Sequence, residues 1–474
     1  MSNSKTRTEK DSLGELKIPK AALFGIHTMR SVQNFIRSGE RINPYLIKAY
    51  LQVKLAAART NVKVGVLPAE KGKWIEDAIR ELIHETELAI SGESDQIYSK
   101  IIVDPYQGGA GTSLNMNINE VIANTALRMN DYSPGDYSRL HPLDDVNMSQ
   151  STNDTFPTAV KLASIYLLRE LSEAFAKIQG AFQEKEKEFA GVLKTGRTQY
   201  QDAVPITLGQ EFGAYAQAMS RDRWRLYKIE ERLRMVNLGG TAIGTGVAAP
   251  RKYILQVVNV LREITGVGLA KAEDLIDNTQ NLDVFVEVHG LIKAGATSLI
   301  KIANDLRFLS SGPATGIAEI ELPPRQHGSS IMPGKINPVI PEHVIQVSQL
   351  ILGHDTIISQ MVSSGHLELN AFLPIISHLF LKSFSMLKDT IHIFIRHCIK
   401  DIQARKQRCQ ELLMNSFSIA TFLVTRLGYE QTTELIKKAV GRNTPLIEVI
   451  EKEQIMSGEE FRQYISTELG IFDK

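Results

Sequence analysis

A mainly α protein built on long antiparallel helices is what this sequence predicts, and three observations carry the prediction. Apolar residues recur at three- and four-residue spacings through most of the chain. Several of these runs reach about 25–40 residues, beyond the usual length of a globular helix. Short polar turns of Gly, Pro, Ser, Thr and Asn separate them, as connections in an antiparallel bundle do.

At 474 residues the length suggests about three domains. The turns divide the chain into an N-terminal domain over 1–148, a central helical bundle over 149–400 and a small C-terminal helical domain over 401–474. A hydrophobic share of 43% and a charged share of 23% belong to a soluble globular protein. The formal net charge of +1 gives no reason to expect a nucleic acid or a membrane as partner. Cys398 and Cys409 lack metal-ligand spacing and read as reduced thiols of a cytoplasmic protein. The first ten residues have no apolar core, so no secretory signal is expected. The apolar stretch Leu369–Ile395 is interrupted by His378, Lys382, Lys388 and Asp389, and reads as a buried bundle helix.

In chain order, residues 1–45 look irregular, with Gly25-Ile26-His27-Thr28 and Arg30 as a polar cluster in which His27 reads as structural. A helical pattern runs from Ile47 to about Ile90. Gly108-Gly109-Ala110-Gly111-Thr112-Ser113 lets backbone and hydroxyls approach a small ligand, but no Gly-Lys-Ser/Thr follows to make it a phosphate loop. Asn115, Asn117 and Asn119 read as a structural hydrogen-bond ladder. Ser151, Thr152, Asn153 and Asp154 precede Pro157 and a long helix. Capping, with Pro157 at the first helical position, employs one or two of the four, and the surplus suggests a ligand. A polar turn, Thr195–Asp202, leads to a second long helix from about Thr207 to Asn237. The glycines between Leu238 and Gly246 follow a helix rather than a strand, which excludes a dinucleotide loop. Helices are expected over roughly 251–265, 282–311, 338–363 and from 370 past Cys398, then shorter ones bounded by Gly428, Gly441–Pro445 and Ser457-Gly458.

The stretch from Gly328 to Glu342 holds three prolines and two glycines in fifteen residues, which rules out a continuous helix or strand. Its polar residues are few: Ser329, Ser330, Lys335, Asn337 and Glu342. Hydroxyls, then a cation and an amide, then a helix start form a plausible place to hold a carboxylate and take a proton beside it. Four such polar turns, each adjoining a long helix, are explained by convergence on an anionic ligand.

Gly-Ser-Ser-Ile-Met-Pro-Gly-Lys-Ile-Asn-Pro, at 328–338, resembles the fingerprint of the aspartase/fumarase superfamily. The other turns are similar to its remaining regions in the same order, over nearly the whole chain. The resemblance implies a homotetramer whose long helices pool into a twenty-helix core, with active sites composed from three subunits. It implies a small dicarboxylate substrate from which a group is eliminated to give fumarate.

Gly196-Arg197-Thr198-Gln199, Ser151-Thr152-Asn153-Asp154 and Gly25-Ile26-His27-Thr28 look like the aspartase branch; class II fumarases usually read Gly-Arg-Thr-His and Ser-Ser-Asn-Asp. His141-Pro142, Asp145 and Gly334 resemble fumarases. The balance points to elimination of ammonia from aspartate, with hydration of fumarate as the alternative and a non-catalytic structural homologue as a third.

Carried over by position, the resemblance makes Ser329 the general base. Thr112, Ser151, Thr152 and Ser330 would hold the β-carboxylate, Lys335 and Asn337 the α-carboxylate, and Asn153, Thr198 and Gln199 the leaving amino group. It implies no required cofactor, with divalent-metal activation known in some relatives, and leaves His141 either structural or part of a second dicarboxylate site. Ile118, Ile345, Ser418 and Thr425 depart from the family pattern without touching these groups.

Overall fold

The computed structural model describes residues 5–468. Residues 1–4, the head of the stretch read above for a secretory signal, and 469–474, the end of the C-terminal segment, lie outside the described residues. In chain order the elements are β1 (Thr6–Asp11), β2 (Gly14–Pro19), α1 (Ile26–Asn34), α2 (Pro44–Lys63), α3 (Ala69–Ser91), α4 (Thr112–Met129), α5 (Thr152–Glu188), β3 (Leu193–Thr198), β4 (Gln201–Thr207) and α6 (Leu208–Leu233). There follow β5 (Met235–Val236), α7 (Arg251–Thr265), β6 (Ala270–Lys271), α8 (Asp277–Gln280), α9 (Asp283–Leu309), β7 (Ile320–Glu321), α10 (Val339–Val362), α11 (Leu373–His397) and β8 (Gln403–Ala404). The tail adds α12 (Lys406–Asn415), α13 (Ala420–Leu427), α14 (Tyr429–Arg442), α15 (Leu446–Lys452) and α16 (Gly458–Glu468). The mainly α expectation holds, and the strands form only two-stranded pairs among the described residues.

Three local expectations are corrected. Residues 1–45 are not irregular: β1 and β2 pair antiparallel from Thr6↔Pro19 to Asp11↔Gly14, and α1 follows. The first turn of α1 is held by the buried Glu120 carboxylate, which accepts from the N–H groups of Gly25, His27 and Thr28 and from the Thr28 hydroxyl. Burial pushes that carboxyl up to about 7, against those donors. The apolar pattern from Ile47 to Ile90 is two helices, because the chain turns at Gly65 (φ 82°) and restarts after Pro68. The turn at 195–202 is a β-hairpin, whose strands are too short and polar to register as a period-2 pattern.

The described chain divides into two compact units, one from residues up to 171, 225–293 and 350–386, the other from 172–224, 294–349 and 387 onward. In the first, α2 packs on α3 and α7, with Ile47, Tyr50, Val53, Ile75, Ile79 and Val257 sealed from solvent. In the second, aromatic rings interlock edge to face: Phe182 with Tyr215 at 5.7 Å and with Phe394 at 6.4 Å, and Phe189 with Phe212 at 5.2 Å. The C-terminal helices keep a core of their own around Leu413, Leu423, Leu435, Leu446 and Phe461.

Candidate active site

In the first unit, the starts of α4 and α5 meet. Gly111, the residue before α4, has φ 95°, and a Cβ there would lie 2.3 Å from the Phe156 ring, so only glycine fits. This puts Thr112, exposed, at the first position of α4. One turn on, the Asn115 amide donates to Thr152 Oγ1 at 3.0 Å.

The start of α5 is a reciprocal cap. Ser151 Oγ accepts from Asn153 N (3.2 Å), and Asp154 Oδ1 accepts from Ser151 N (2.9 Å). Asp154 Oδ2 also takes the N–H groups of Gly239 and Thr241, fixing the glycine-rich loop 238–246 beneath the cap. Burial raises the Asp154 carboxyl to about 6, opposed by those three backbone donors and by Lys54. Capping therefore uses Ser151 and Asp154, and Thr152 and Asn153 are the surplus.

Pro157 is the sixth residue of α5 rather than the first. Lacking an N–H, it leaves the Asn153 carbonyl four residues back without its helical donor, and Asn237 Nδ2 takes that place at 2.9 Å. The Asn153 side chain donates to Ala242 O (2.7 Å), which leaves its Oδ1 to accept from a ligand.

The three asparagines make buried structural hydrogen bonds, as expected, but in two directions. Asn117 links Lys100 O and Ile102 N, as a ladder would. Asn115 and Asn119 instead both donate to Asn147 Oδ1, at 3.2 and 3.1 Å, and Lys54 Nζ donates to the same oxygen at 2.9 Å. Lys54 is 0% exposed. Sequence reasoning missed it; the signal was a lysine flanked by Val53 and Leu55 within the apolar α2 run.

In the second unit, β3 and β4 pair from Leu193↔Thr207 to Thr198↔Gln201, with a bulge between Thr195 and Arg197. Gln199 (φ 55°) and Tyr200 (φ 61°) form the two-residue turn, both left-handed, the geometry that matches strand twist. Thr198 and Gln199 are exposed at its tip. The hairpin is anchored from below: Arg197 donates to Glu319 Oε1 (2.9 Å) and Oε2 (3.0 Å). Lys194 pairs with Glu319 and Glu211, each at 2.9 Å. Lys194 and Glu319 are buried and pair out of water, with the partly buried Arg197 and Glu211 completing the charge balance.

The 328–337 segment of the same unit folds on itself. Gly328 N donates to Lys335 O (2.8 Å), and Asn337 Nδ2 donates to Gly328 O (2.9 Å). A Cβ at Gly328 would lie 2.6 Å from Lys335 O, so the closure requires glycine. Ser329 Oγ accepts from Ile331 N (3.2 Å) and Met332 N (3.1 Å), a nest of amides aimed at the oxygen. Ser330 and Lys335 are exposed, and Asn337 is half-buried. Glu342, in the first turn of α10, lies 4.0 Å from Arg307.

Two other expectations stand apart from these clusters. His141 Nδ1 accepts from Leu143 N and Asp144 N, capping the helical turn at 142–146, with its ring edge-on to Tyr137 at 5.7 Å. That is a structural role. Cys398 and Cys409 are buried free thiols whose pKa burial pushes up to about 12. Among the described residues, no group of three or more His, Cys, Asp or Glu is placed to hold a metal ion, and no helix is long and apolar enough to cross a membrane.

Hydroxyls at the starts of two helices, an oxygen held by two amides and a lysine in the same loop are what binding a carboxylate and stabilising a growing negative charge require. Residues 14–353 match the lyase family, and the chain belongs to it. Within that family it is 43% identical to the aspartate ammonia-lyase of a Bacillus species over 464 residues, 98% of this chain and 97% of the relative. A fumarate lyase:delta crystallin from Brucella melitensis, solved with cobalt bound, superposes with a TM-score of 0.91 at 43% identity, covering 99% of this chain and all of that one. A class II fumarase from Schistosoma mansoni superposes at 0.86 with 29% identity, covering 97% and 98% of the two chains.

Proposed function

We propose that this chain is a carbon–nitrogen lyase that reversibly eliminates ammonia from L-aspartate to give fumarate. The observation that carries the chemistry is the pair of backbone N–H groups on Ser329 Oγ. Serine is a weak base in water, and a helix N-terminus contributes only about 1–2 kcal/mol. Two amides aimed at the oxygen, with Lys335 six residues on, favour the alkoxide further. Ser329 then takes the proton from Cβ. The C–H electrons pass into the adjacent carboxylate as an aci-carboxylate, and they return to form the double bond as the C–N bond breaks and ammonia leaves.

The remaining roles are those the family resemblance implies. Thr112, Ser151, Thr152 and Ser330 hold the β-carboxylate, whose charge grows in the transition state, and Lys335 and Asn337 hold the α-carboxylate. Asn153, Thr198 and Gln199 surround the amino group. Gln199 supports ammonia over water as the leaving group, because an amide accepts from ammonium but cannot titrate to activate water.

The same reading assigns a cytoplasmic homotetramer with sites composed across subunits, no required cofactor, and segments at 1–148, 149–400 and 401–474. The separate core around Leu413–Phe461 supports the last boundary. Fumarate formation from aspartate, malate and argininosuccinate, assayed in parallel, tests it: aspartate is the expected substrate, and turnover of malate instead overturns it in favour of a hydratase. Ser329→Ala is expected to lower kcat by about a thousandfold with unchanged folding; near-normal turnover in the folded variant removes Ser329 as the base.

A further inference from the structure

Behind the carboxylate-binding turn of the first unit lies a buried chain of polar groups that the reaction outlined above does not use. Lys54 Nζ donates to Asn147 Oδ1 (2.9 Å) and to Gln150 Oε1 (3.0 Å). Asn147 Oδ1 also accepts from Asn115 Nδ2 (3.2 Å), and the same Asn115 amide donates to Thr152 Oγ1 (3.0 Å). Lys54 is 0%, Asn115 2% and Thr152 7% exposed, so water does not compete freely for these bonds.

We propose that Lys54 is a positioning residue for the elimination. Through Asn147 and Asn115 it fixes which way the Thr152 hydroxyl points, so that its proton faces the substrate carboxylate. The inference deepens the aspartate-lyase reading and rests on it.

A carboxamide can turn over and exchange its oxygen for its NH2 group; a lysine ammonium only donates, and although burial lowers the Lys54 pKa to about 7, both of its contacts here have it as the donor. Lys54 is thus the cation of fixed sense at the head of the chain, seconded by the Asn147 Nδ2 bond to Gln150 O at 3.3 Å. It requires the Asn147 oxygen to face it, and that oxygen then requires the Asn115 NH2. The NH2 group in turn occupies an acceptor position of the Thr152 oxygen. Among the described residues Asn115 is the only hydrogen-bond partner of that hydroxyl, so its proton is left for a ligand. Asn119 adds a second amide to Asn147 Oδ1 at 3.1 Å, but an amide that can turn dictates nothing. Without the lysine, only the long 3.3 Å bond from Asn147 Nδ2 to Gln150 O holds the sense, and the two carboxamides reverse more readily. Asn115 would then offer its oxygen, and the Thr152 proton would turn inward. A donor lost to the growing aci-carboxylate charge slows the chemical step more than it weakens ground-state binding.

The test is a double-mutant cycle read in kcat and kcat/KM for aspartate, with folding checked by circular dichroism and thermal melting. Lys54→Met is expected to lower kcat about tenfold or more. In a Thr152→Val background the same change is expected to cost nothing further, because the hydroxyl it acts through is gone. A merely structural role predicts losses that multiply. Asn115→Ala, which cuts the chain next to Thr152 and leaves the Lys54–Asn147 contact intact, is expected to show the same loss and the same non-additivity. If Lys54→Met does not fold, that variant decides the question. Wild-type rates in folded variants, or losses that multiply with Thr152→Val, overturn the inference while wild-type turnover of aspartate still stands. A wild-type chain that forms no fumarate from aspartate overturns both the functional reading and this one.

Discussion

At the residue scale, Pro157 shows how a local rule creates a long-range need. The carbonyl it releases on Asn153 is met by Asn237, 84 residues away. Asn237→Ala leaves that carbonyl without a partner next to a proposed ligand group. The expected cost is about 1–3 kcal/mol of stability, read from the denaturant midpoint, with lower activity as well. An unchanged midpoint removes Asn237 as the carbonyl's support. Asp11 gives the pH counterpart. Its hydrogen bonds with Arg30 lower its carboxyl to about 2, so the pair stabilises the fold above the ordinary carboxylate range, and the contribution fades as pH falls toward 2. Because the pair keeps some contact with solvent, Asp11→Asn is expected to cost only about 1 kcal/mol at neutral pH. In thermal melts the gap between wild type and variant should close by pH 2; a gap that persists in acid rules the ion pair out as its source.

At the element scale, the β3–β4 hairpin offers Thr198 and Gln199 only because its base is fixed. Gln199 and Tyr200 hold left-handed conformations that non-glycine residues adopt at some cost. The Arg197–Glu319–Lys194–Glu211 set, centred on buried Lys194 and Glu319, holds the strands beneath that turn. Glu319→Gln leaves two cations with one carboxylate, so a loss of about 3–5 kcal/mol in urea unfolding is expected. A variant of wild-type stability shows that the hairpin does not depend on this ion set. The helix ends themselves were readable. The third helix of the central part, predicted over 251–265, runs from Arg251 to Thr265 because Pro250 and Gly266 bracket it. The hairpin was not readable, since Thr-Gly-Arg-Thr carries no alternating apolar pattern and its pairing partner, not its composition, makes it a strand.

At the whole-molecule scale, the proposed groups fall in different units: Thr112 and Ser151–Asn153 in the first, Thr198, Gln199 and Ser329–Asn337 in the second. If sites are composed across subunits, two inactive variants such as Thr198→Ala and Ser329→Ala should regain part of the activity when dissociated, mixed and reassembled. Mixtures that stay inactive while forming tetramers oppose the composite site.

The sequence by itself determined the helical class, most helix ends, the polar turns and the motif around Ser329. Each of these depends on a residue's near neighbours: apolar spacing, caps, and the backbone limits of Gly and Pro. Only the tertiary structure decided that Lys54 underlies Thr152, that Asn115 turns from ladder to support, and that Glu319 anchors Arg197. Those are pairings of buried polar groups across long separations in sequence. A buried donor or acceptor needs a partner, but which one it meets is set by the packing of whole helices, and the local sequence carries no record of it.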